Sequence, residues 1–556
     1  MVGFLSLLSR ASYFFSRSGA GFLGVLAYFS AAICIIPIVS VIVFALSGGT
    51  ETIIHLLDTV LLQYTANTLI LIVLVSVGTL VIGCSTAWLV TMTRFPFIKV
   101  FEIALILPLS FPAYVLAYAY THVFDHPGVV QSILRELTGW GPRDYWFPEI
   151  RSLGGAALML ILVFYPYVYL LARAAFIQQS GRGFLTARSL GKSANSAFWR
   201  VSLPMARPAI AAGVLLAVME TISDFGTVAY FGVQTLATGI YTSWFSFADR
   251  SGAAQIAICL LSFALLLVLL ERFQRGESKF HDTSVGKTVM PSIKLVGLRA
   301  GFAMIICGIP VFLGCLLPTI ILFEMALGSE QNLLSRRYIG FIRNSFTLAA
   351  IAAALTIILA TSLGYFKRIY PIRSAKTAVN VARLGYAIPG GVIAVGLIVP
   401  FAAFDNALDA WMRETFNYST GLLFTGSIWL LVGAYIVRFM APALGAFEGG
   451  QSAVHTNLDA ASRSLGNTPL ATLRKVHMPI LIPSFLTAGL LVFVEVMKEL
   501  PATLIMRPFN FDTLAVQAYR LASDERLEGA SVPSLVIVAA GLLPVILICR
   551  RVHQYR

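Results

Sequence analysis

Charge is scarce in this chain. Asp, Glu, Lys and Arg make up only 12% of its 556 residues, against about a quarter in an ordinary soluble domain. With 58% hydrophobic residues and a mean hydropathy of +0.83, the shortage excludes a large water-soluble enzyme and implies a polytopic membrane protein. Cysteine is scarce too. Cys34, Cys84, Cys259, Cys307, Cys315 and Cys549 stand singly, with no CxxC, so they read as small buried apolar residues rather than a thiolate site or disulfide framework. A complete phosphate-binding loop is also lacking. Gly191-Lys-Ser and Gly286-Lys-Thr imitate its end, but Thr186 and His281 stand where the required earlier glycine would be. No cluster of His, Cys or carboxylates within one helix bundle supports a membrane enzyme.

Long apolar runs are what the chain has instead. Stretches of about 20 apolar residues are candidate membrane helices, and twelve are expected: 22–46, 67–92, 99–121, 154–176, 206–232, 252–271, 299–326, 344–366, 378–403, 420–445, 482–506 and 532–549. Arg10 and Arg17 precede the first. That run is too long for a signal-peptide core, so it reads as an uncleaved first helix. The net charge of +14 does not point to nucleic acid, because its distribution follows the membrane. With the N-terminus inside, 28 of the 40 Lys and Arg fall in inner segments, including 173–207, 272–299, 367–383 and 438–475. This bias orients the chain with both termini cytoplasmic.

A twenty-residue pattern occurs twice. Leu185-Thr-Ala-Arg-Ser-Leu-Gly191 leads, after nine intervening residues, to Val201-Ser-Leu-Pro204; Ala460-Ala-Ser-Arg-Ser-Leu-Gly466 leads, again after nine, to Val476-His-Met-Pro479. Gly191 and Gly466, Pro204 and Pro479, and Pro208 and Pro483 are each 275 residues apart. Glu220 and Glu495, Thr238 and Thr513, and Asp249 and Asp524 share that offset, while Asn67 and Asn344, and Pro112 and Pro389, lie 277 apart. The chain is therefore read as two homologous halves, residues 1–271 and 299–556, joined by a basic cytoplasmic linker at 272–298. Six helices per half is an even number, so the repeat is parallel and related by a pseudo-two-fold axis along the membrane normal, which leaves a path between the halves. The external segments are 122–153, 404–419 and 507–531. Each copy of the motif is expected to be a short cytoplasmic helix, a turn at a glycine free to take positive φ, and a proline at the start of the next membrane helix.

The motif resembles the "EAA" loop of ABC importer permeases, Glu-Ala-Ala-x3-Gly-x9-Ile-x-Leu-Pro. The match holds at the glycine, the aliphatic residue and the proline in both copies. Leu185 and Ala460 replace the glutamate, with Asp459 one residue early. The resemblance implies that Ala187, Gly191, Val201, Pro204, Ala461, Gly466, Val476 and Pro479 couple the membrane part to a cytoplasmic ABC ATPase dimer. ATP and magnesium would be bound by that partner; no cofactor is expected in this chain. Lys498-Glu-Leu-Pro-Ala-Thr503 and Arg507-Pro-Phe-Asn-Phe-Asp-Thr513 resemble the ferric-iron permeases of that superfamily, in which both halves are fused, and the similarity runs the whole length. It implies an all-α inner-membrane permease, surrounded by lipid, that takes ferric iron from a periplasmic binding protein. Fused permeases for thiamine, polyamines or oxyanions look alike and stay open, as does a twelve-helix secondary transporter.

Glu220 with Asp224, and Glu495 with Glu499, are i, i+4 pairs, expected to share one face in each of two matching helices. A charge at the bilayer centre costs roughly 2.5–3.5 kcal/mol on insertion scales, so such residues usually face an interior path. Oxygen ligands suit hard cations. These four carboxylates are the candidate substrate path, with an outer-interface position or pairing with Lys498 as the alternative. His122 and His126 are a second candidate pair for metal, beside Tyr114 and Tyr118. The metal ligands, if any, are not identified. The topology predicts that cysteines placed at Ser193 and Thr468 react only with reagents that reach the cytoplasm. Labelling of the two on opposite faces would refute the parallel repeat.

Overall fold

A computed structural model describes residues 21–178, 181–277, 293–329, 331, 335–452 and 454–554. The Arg10–Arg17 region, and residues 278–292 of the expected linker, lie outside the described residues. The protein is all-α. Its sheet structure among the described residues is one parallel pair, Thr93–Arg94 with Ile293–Lys294. Eleven helices are long and apolar enough to cross a membrane, and a bent pair, Ile98–Ser110 and Ala113–Thr138 meeting at 92°, brings the number to twelve.

Two compact units emerge, and they do not follow the repeat boundaries. One comprises residues 1–52, 248–261 and 334–513; the other 53–247, 262–333 and 514–556. The Gly21–Ser47 helix, first in the chain, packs on Arg336–Ile369 and Gly390–Phe416. In the other unit, Leu317–Gly328 packs on the C-terminal Leu527–Gln554 helix and on Ala113–Phe124. Sequence adjacency and packing adjacency differ here because apolar helices in lipid are sorted by how closely their surfaces approach, and lipid is as apolar as leucine. Gly396 shows this: a Cβ there would lie 2.5 Å from the carbonyl oxygen of Pro37. At the Thr50–Met92 and Leu153–Gln178 contact, Gly83 faces Val168 in the same way, at 2.6 Å.

Several expected spans move. The 206–232 and 482–506 runs are helices only to Ser223 and Lys498, and break there. The run at 378–403 is divided at Pro389; its second helix continues to Phe416, into what reads as an external loop. Asp405, the residue that hides this extension, is fully buried. Its carboxylate accepts from Phe424 N, Thr425 N and Thr425 Oγ1 and so anchors the returning chain. The expected outer loop 507–531 contains a buried helix, Leu514–Ser523, whose small residues Ala515, Ala518 and Ala522 face inward. Arg438, counted above among inner-facing charges, sits in the middle of the Ile428–Gln451 helix and is only 8% exposed.

The repeat is visible at single hydrogen bonds. Asn67 Nδ2 donates to Gln234 O at 2.7 Å, and Asn344 Nδ2 to Asp512 O at 3.2 Å. In both halves of the sequence this asparagine ties a membrane helix to the chain just before the segment that forms a short buried helix, Leu236–Tyr241 or Leu514–Ser523.

Gly396→Ala tests the packing. A methyl group has no room against the Pro37 backbone, and overpacking costs about 1–3 kcal/mol. The variant is expected to show a lower thermal midpoint in detergent and less protein in the membrane fraction. Wild-type values for both would show that the close approach is not required.

Candidate coupling surface and membrane carboxylates

Each copy of the duplicated motif folds the same way. A short helix, Gly181–Ser189 or Thr456–Ser464, ends in a turn at Gly191 or Gly466, where φ is +80° and +79°. Lys192 N donates to Ala187 O, and Asn467 N to Ser462 O, each at 3.1 Å; Gly191 N and Gly466 N donate to Arg188 O and Arg463 O, each at 3.0 Å. This is the Schellman closure of a helix, and it demands a residue at ease in the left-handed region. The next helix starts at once. Ser193 Oγ accepts from Ser196 N at 3.2 Å, and Thr468 Oγ1 from Ala471 N at 3.3 Å, as N-caps do. A π-helical turn follows at Phe198–Ser202 and at Leu473–His477, and Pro204 and Pro479 take the second position of the long helices Leu203–Ser223 and Met478–Lys498. Val201 and Val476 are half-buried on the π turns. Leu190 and Leu465, just before the glycines, are 75% and 81% exposed. An apolar side chain held out at the same place in both copies is what a docking surface needs.

The second copy is braced by residues that sequence reasoning passed over. Asp459 Oδ2 receives Arg368 Nη2 at 2.7 Å, and Asp459 Oδ1 receives His477 Nε2 at 2.5 Å. Arg368 also donates to Gln451 O and Val454 O, so one guanidinium holds the chain on both sides of the entry to the short helix. Tyr365 OH donates to Pro469 O at 3.0 Å and its ring meets His477 edge-on. Ser462, within the motif, is buried against Thr472, 2.9 Å between hydroxyl oxygens. The signal was the acidic residue one place before the expected glutamate. Its partners lie 91 residues before it and 18 after, so no local pattern reveals them. In the first half Thr91 and Ser202 occupy the positions that correspond to Arg368 and His477.

The four membrane carboxylates do not form two helical stripes. Glu220 and Glu495 lie in the last turn of their helices, and Glu495 pairs with Lys498 Nζ at 2.8 Å. Asp224 and Glu499 lie beyond the helix ends, with φ, ψ of −70°, 127° and −71°, 123°. The i, i+4 relation fails because the helix ends in between. Each carboxylate instead caps the next short helix. Asp224 accepts from Thr227 N, Thr227 Oγ1 and Val228 N at 3.0–3.3 Å. Glu499 accepts from Ala502 N, Thr503 N and Thr503 Oγ1 at 2.7–3.1 Å. Those short helices are Gly226–Tyr230 and Pro501–Met506. Around Glu499 the site is dense: a Cβ on Gly390 would fall 2.8 Å from Glu499 Oε1 and 3.0 Å from Arg438 Nη1, and Tyr435 OH lies 2.6 Å from Thr503 Oγ1.

The histidine pair is not assembled. The helix carrying His122 ends at Phe124, and His126 follows an extended Asp125, so the two do not share a face. Asp125 instead pairs with Arg151 Nε at 2.9 Å. No group of three His, Cys, Asp or Glu residues is placed to hold a metal among the described residues. Tyr114 and Tyr118 do adjoin, with ring centroids 5.7 Å apart.

The buttress of the second motif makes a pH prediction. Burial pushes the Asp459 carboxyl up, but the hydrogen bonds from His477 and Arg368 outweigh it and hold it below the ordinary value. A depressed folded value means that its stabilisation is complete above the unfolded value of about 3.9 and is lost as pH falls through the folded one. Asp459→Asn is expected to lower the thermal midpoint at pH 7 by about 2–4 °C per kcal/mol lost. The gap should close on acidification below the ordinary carboxylate range. Equal midpoints at pH 7, read by scanning fluorimetry in detergent, would refute the brace.

Comparison with known proteins now adds to this geometry. Residues 79–276 and 373–555 match the family described as binding-protein-dependent transport system inner membrane component. The chain is 25% identical over 497 residues to the Fe(3+)-transport system permease protein FbpB 2 of Haemophilus influenzae, covering 87% of this chain and 88% of that one. It is 25% identical over 480 residues to the ferric transport system permease protein FbpB of Actinobacillus pleuropneumoniae, covering 82% of this chain and 66% of that one. A shorter match, 26% over 212 residues, joins it to the putative 2-aminoethylphosphonate transport system permease protein PhnV of Salmonella typhimurium, covering 38% of this chain and 70% of that one.

Proposed function

Because the chain belongs to the family of binding-protein-dependent transport system inner membrane components, we propose that it is the fused permease of an ATP-driven importer of ferric iron. It receives the ion from a periplasmic binding protein and releases it into the cytoplasm. The observation that carries the ATP-driven part is the duplicated helix, glycine turn, cap and π turn, repeated hydrogen bond for hydrogen bond. Two equal docking elements suit a dimer of ATPase subunits, one per copy. Leu190 and Leu465 enter the partner's clefts, and Gly191 and Gly466 hold them at the required angle. ATP and magnesium bind in the partner, and both termini face the cytoplasm with the motifs.

Iron as substrate rests on the full-length relatives named for ferric transport. The shorter phosphonate-permease relative keeps an oxyanion as the rival cargo. Glu220 and Glu495 are proposed to face the permeation path, with Asp224 and Glu499 holding the chain breaks beside it. Carboxylates favour a cation over an oxyanion by simple charge.

Three measurements test this reading. The ATPase subunit should co-purify with the permease in detergent, and cysteines at Leu190 and Leu465 should cross-link to it. Gly191→Asp or Gly466→Asp should abolish uptake while the protein stays in the membrane, since an L-residue at that φ carries strain of order 1 kcal/mol or more and the charge obstructs docking. Whole cells should accumulate radiolabelled ferric iron but not labelled aminophosphonate, and Glu220→Gln with Glu495→Gln should reduce that uptake more than ATPase assembly. A double Gly variant with normal uptake would refute the coupling role. Accumulation of the phosphonate instead would refute iron.

A further inference from the structure

The two carboxylate-capped breaks share a backbone but not their surroundings. Beside Glu499 stands the guanidinium of Arg438. Beside Asp224 stand phenols. The Gly226–Tyr230 helix, which Asp224 caps, packs on Ala113–Phe124, which carries Tyr114 and Tyr118. Tyr118 and Tyr230 meet edge-on with ring centroids 4.7 Å apart, and Tyr114 lies 5.7 Å from Tyr118. Tyr519 reaches the same place from the Leu514–Ser523 helix, 5.7 Å from the ring of Phe225, the residue after Asp224. The Asp224 carboxylate and the Tyr519 hydroxyl are both within electrostatic reach of the Tyr118 hydroxyl.

Capping accounts for the carboxylate, because both halves have one. It does not account for the phenols. At the corresponding positions of the second half, Tyr114, Tyr118 and Tyr230 are Gly391, Val395 and Ile505. Packing does not account for the Tyr118 oxygen either. Tyr118 is fully buried, and its hydroxyl has no hydrogen-bond partner; leaving one unmade costs about 1–3 kcal/mol. A phenylalanine would fill the space without that cost.

We infer that Asp224 and the phenols of Tyr118, Tyr114, Tyr230 and Tyr519 form an all-oxygen contact site for a bare trivalent hard cation in transit, stripped of any chelator. Hard, highly charged cations take oxygen ligands, by the softness order that governs metal sites. The charges balance as well. One carboxylate and two phenolates offset a 3+ ion, and the two phenol protons leave to water as the ion enters, since ligands deprotonate on metal binding. Arg151 sits over the Tyr230 ring at 5.1 Å, but its charge is already met by Asp125 and Glu525. The site lies within one compact unit and is built mainly from tyrosines.

This inference rests on the ferric reading above, and the test separates the two. The full-length permease with its ATPase, in lipid nanodiscs, is titrated with ferric nitrilotriacetate and scanned for the visible phenolate-to-iron charge-transfer band. Wild type is expected to develop the band. Tyr118→Phe and Asp224→Asn should lose most of it, and Tyr118→Phe should lower iron uptake about tenfold, the equivalent of one 1.36 kcal/mol interaction. Tyr165→Phe is the control. It removes another fully buried hydroxyl without a partner, beside Tyr169 and away from Asp224, and should change neither readout. If Tyr118→Phe does not accumulate in the membrane, Tyr230→Phe carries the same test. A band and uptake unchanged in the phenylalanine variants would overturn the site while leaving the iron reading intact. A wild type that imports no ferric iron would overturn the iron reading itself.

Discussion

The constraint on which the structure depends is that every backbone N–H at membrane depth must be satisfied from within the protein. Two long helices stop at Ser223 and Lys498 in the middle of apolar sequence, and the short helices that start just after them open with amide groups that lipid cannot satisfy. Asp224 and Glu499 supply the acceptors. Each takes two backbone N–H groups and a threonine hydroxyl, so a residue that is expensive in a membrane makes the break possible. The short helices that follow are largely buried within the protein.

From this shared device the two units diverge. At the second-half break Arg438 and Glu499 both stand within about 3 Å of where a Cβ on Gly390 would lie, and the glycine leaves just enough room for both. The first-half break has tyrosines instead, the fully buried Tyr118 hydroxyl among them unmet. Gene duplication supplies the common backbone, and substitution in one copy changes its chemistry. The cytoplasmic motifs show the opposite balance. There the backbone and its hydrogen bonds are retained in both copies, and the specialised part is the brace of Asp459, Arg368 and His477 in the second. On the proposed reading, a surface that meets two equal partners keeps its shape, whereas residues along a path for one ion are free to differ.

Membership of a transport family and the duplicated surface point to one division of labour. On the proposed reading the short helices receive force from the ATPase, and the π turns at Phe198–Ser202 and Leu473–His477 stand between them and the long helices. Insertions of this kind leave helical hydrogen bonds looser and often occur at functional sites. The long helices end at the carboxylate breaks, so in each half one helical run leads from the π turn to the capped turn.

The sequence alone determined the class of protein, the repeat and the positions of its turns. Composition decides a membrane location because apolar length is a local property. A 275-residue offset reveals duplication because glycine and proline are demanded by backbone geometry at single positions, and Gly191 and Gly466 do turn at positive φ. What tertiary structure decided was the company each residue keeps. The i, i+4 spacing of the carboxylates was legible but misleading, since helix periodicity holds only while the helix continues. Asp405 falls in the expected external segment 404–419, yet its partners are backbone amides 19 and 20 residues later. The brace on Asp459, the exchange of first helices between packing units, and the phenols around Asp224 all join residues far apart in the chain. One sequence met without relatives carries no local signal for such pairs, because the energy that selects them comes from close packing and from satisfying buried polar groups, and neither exists until the chain has folded.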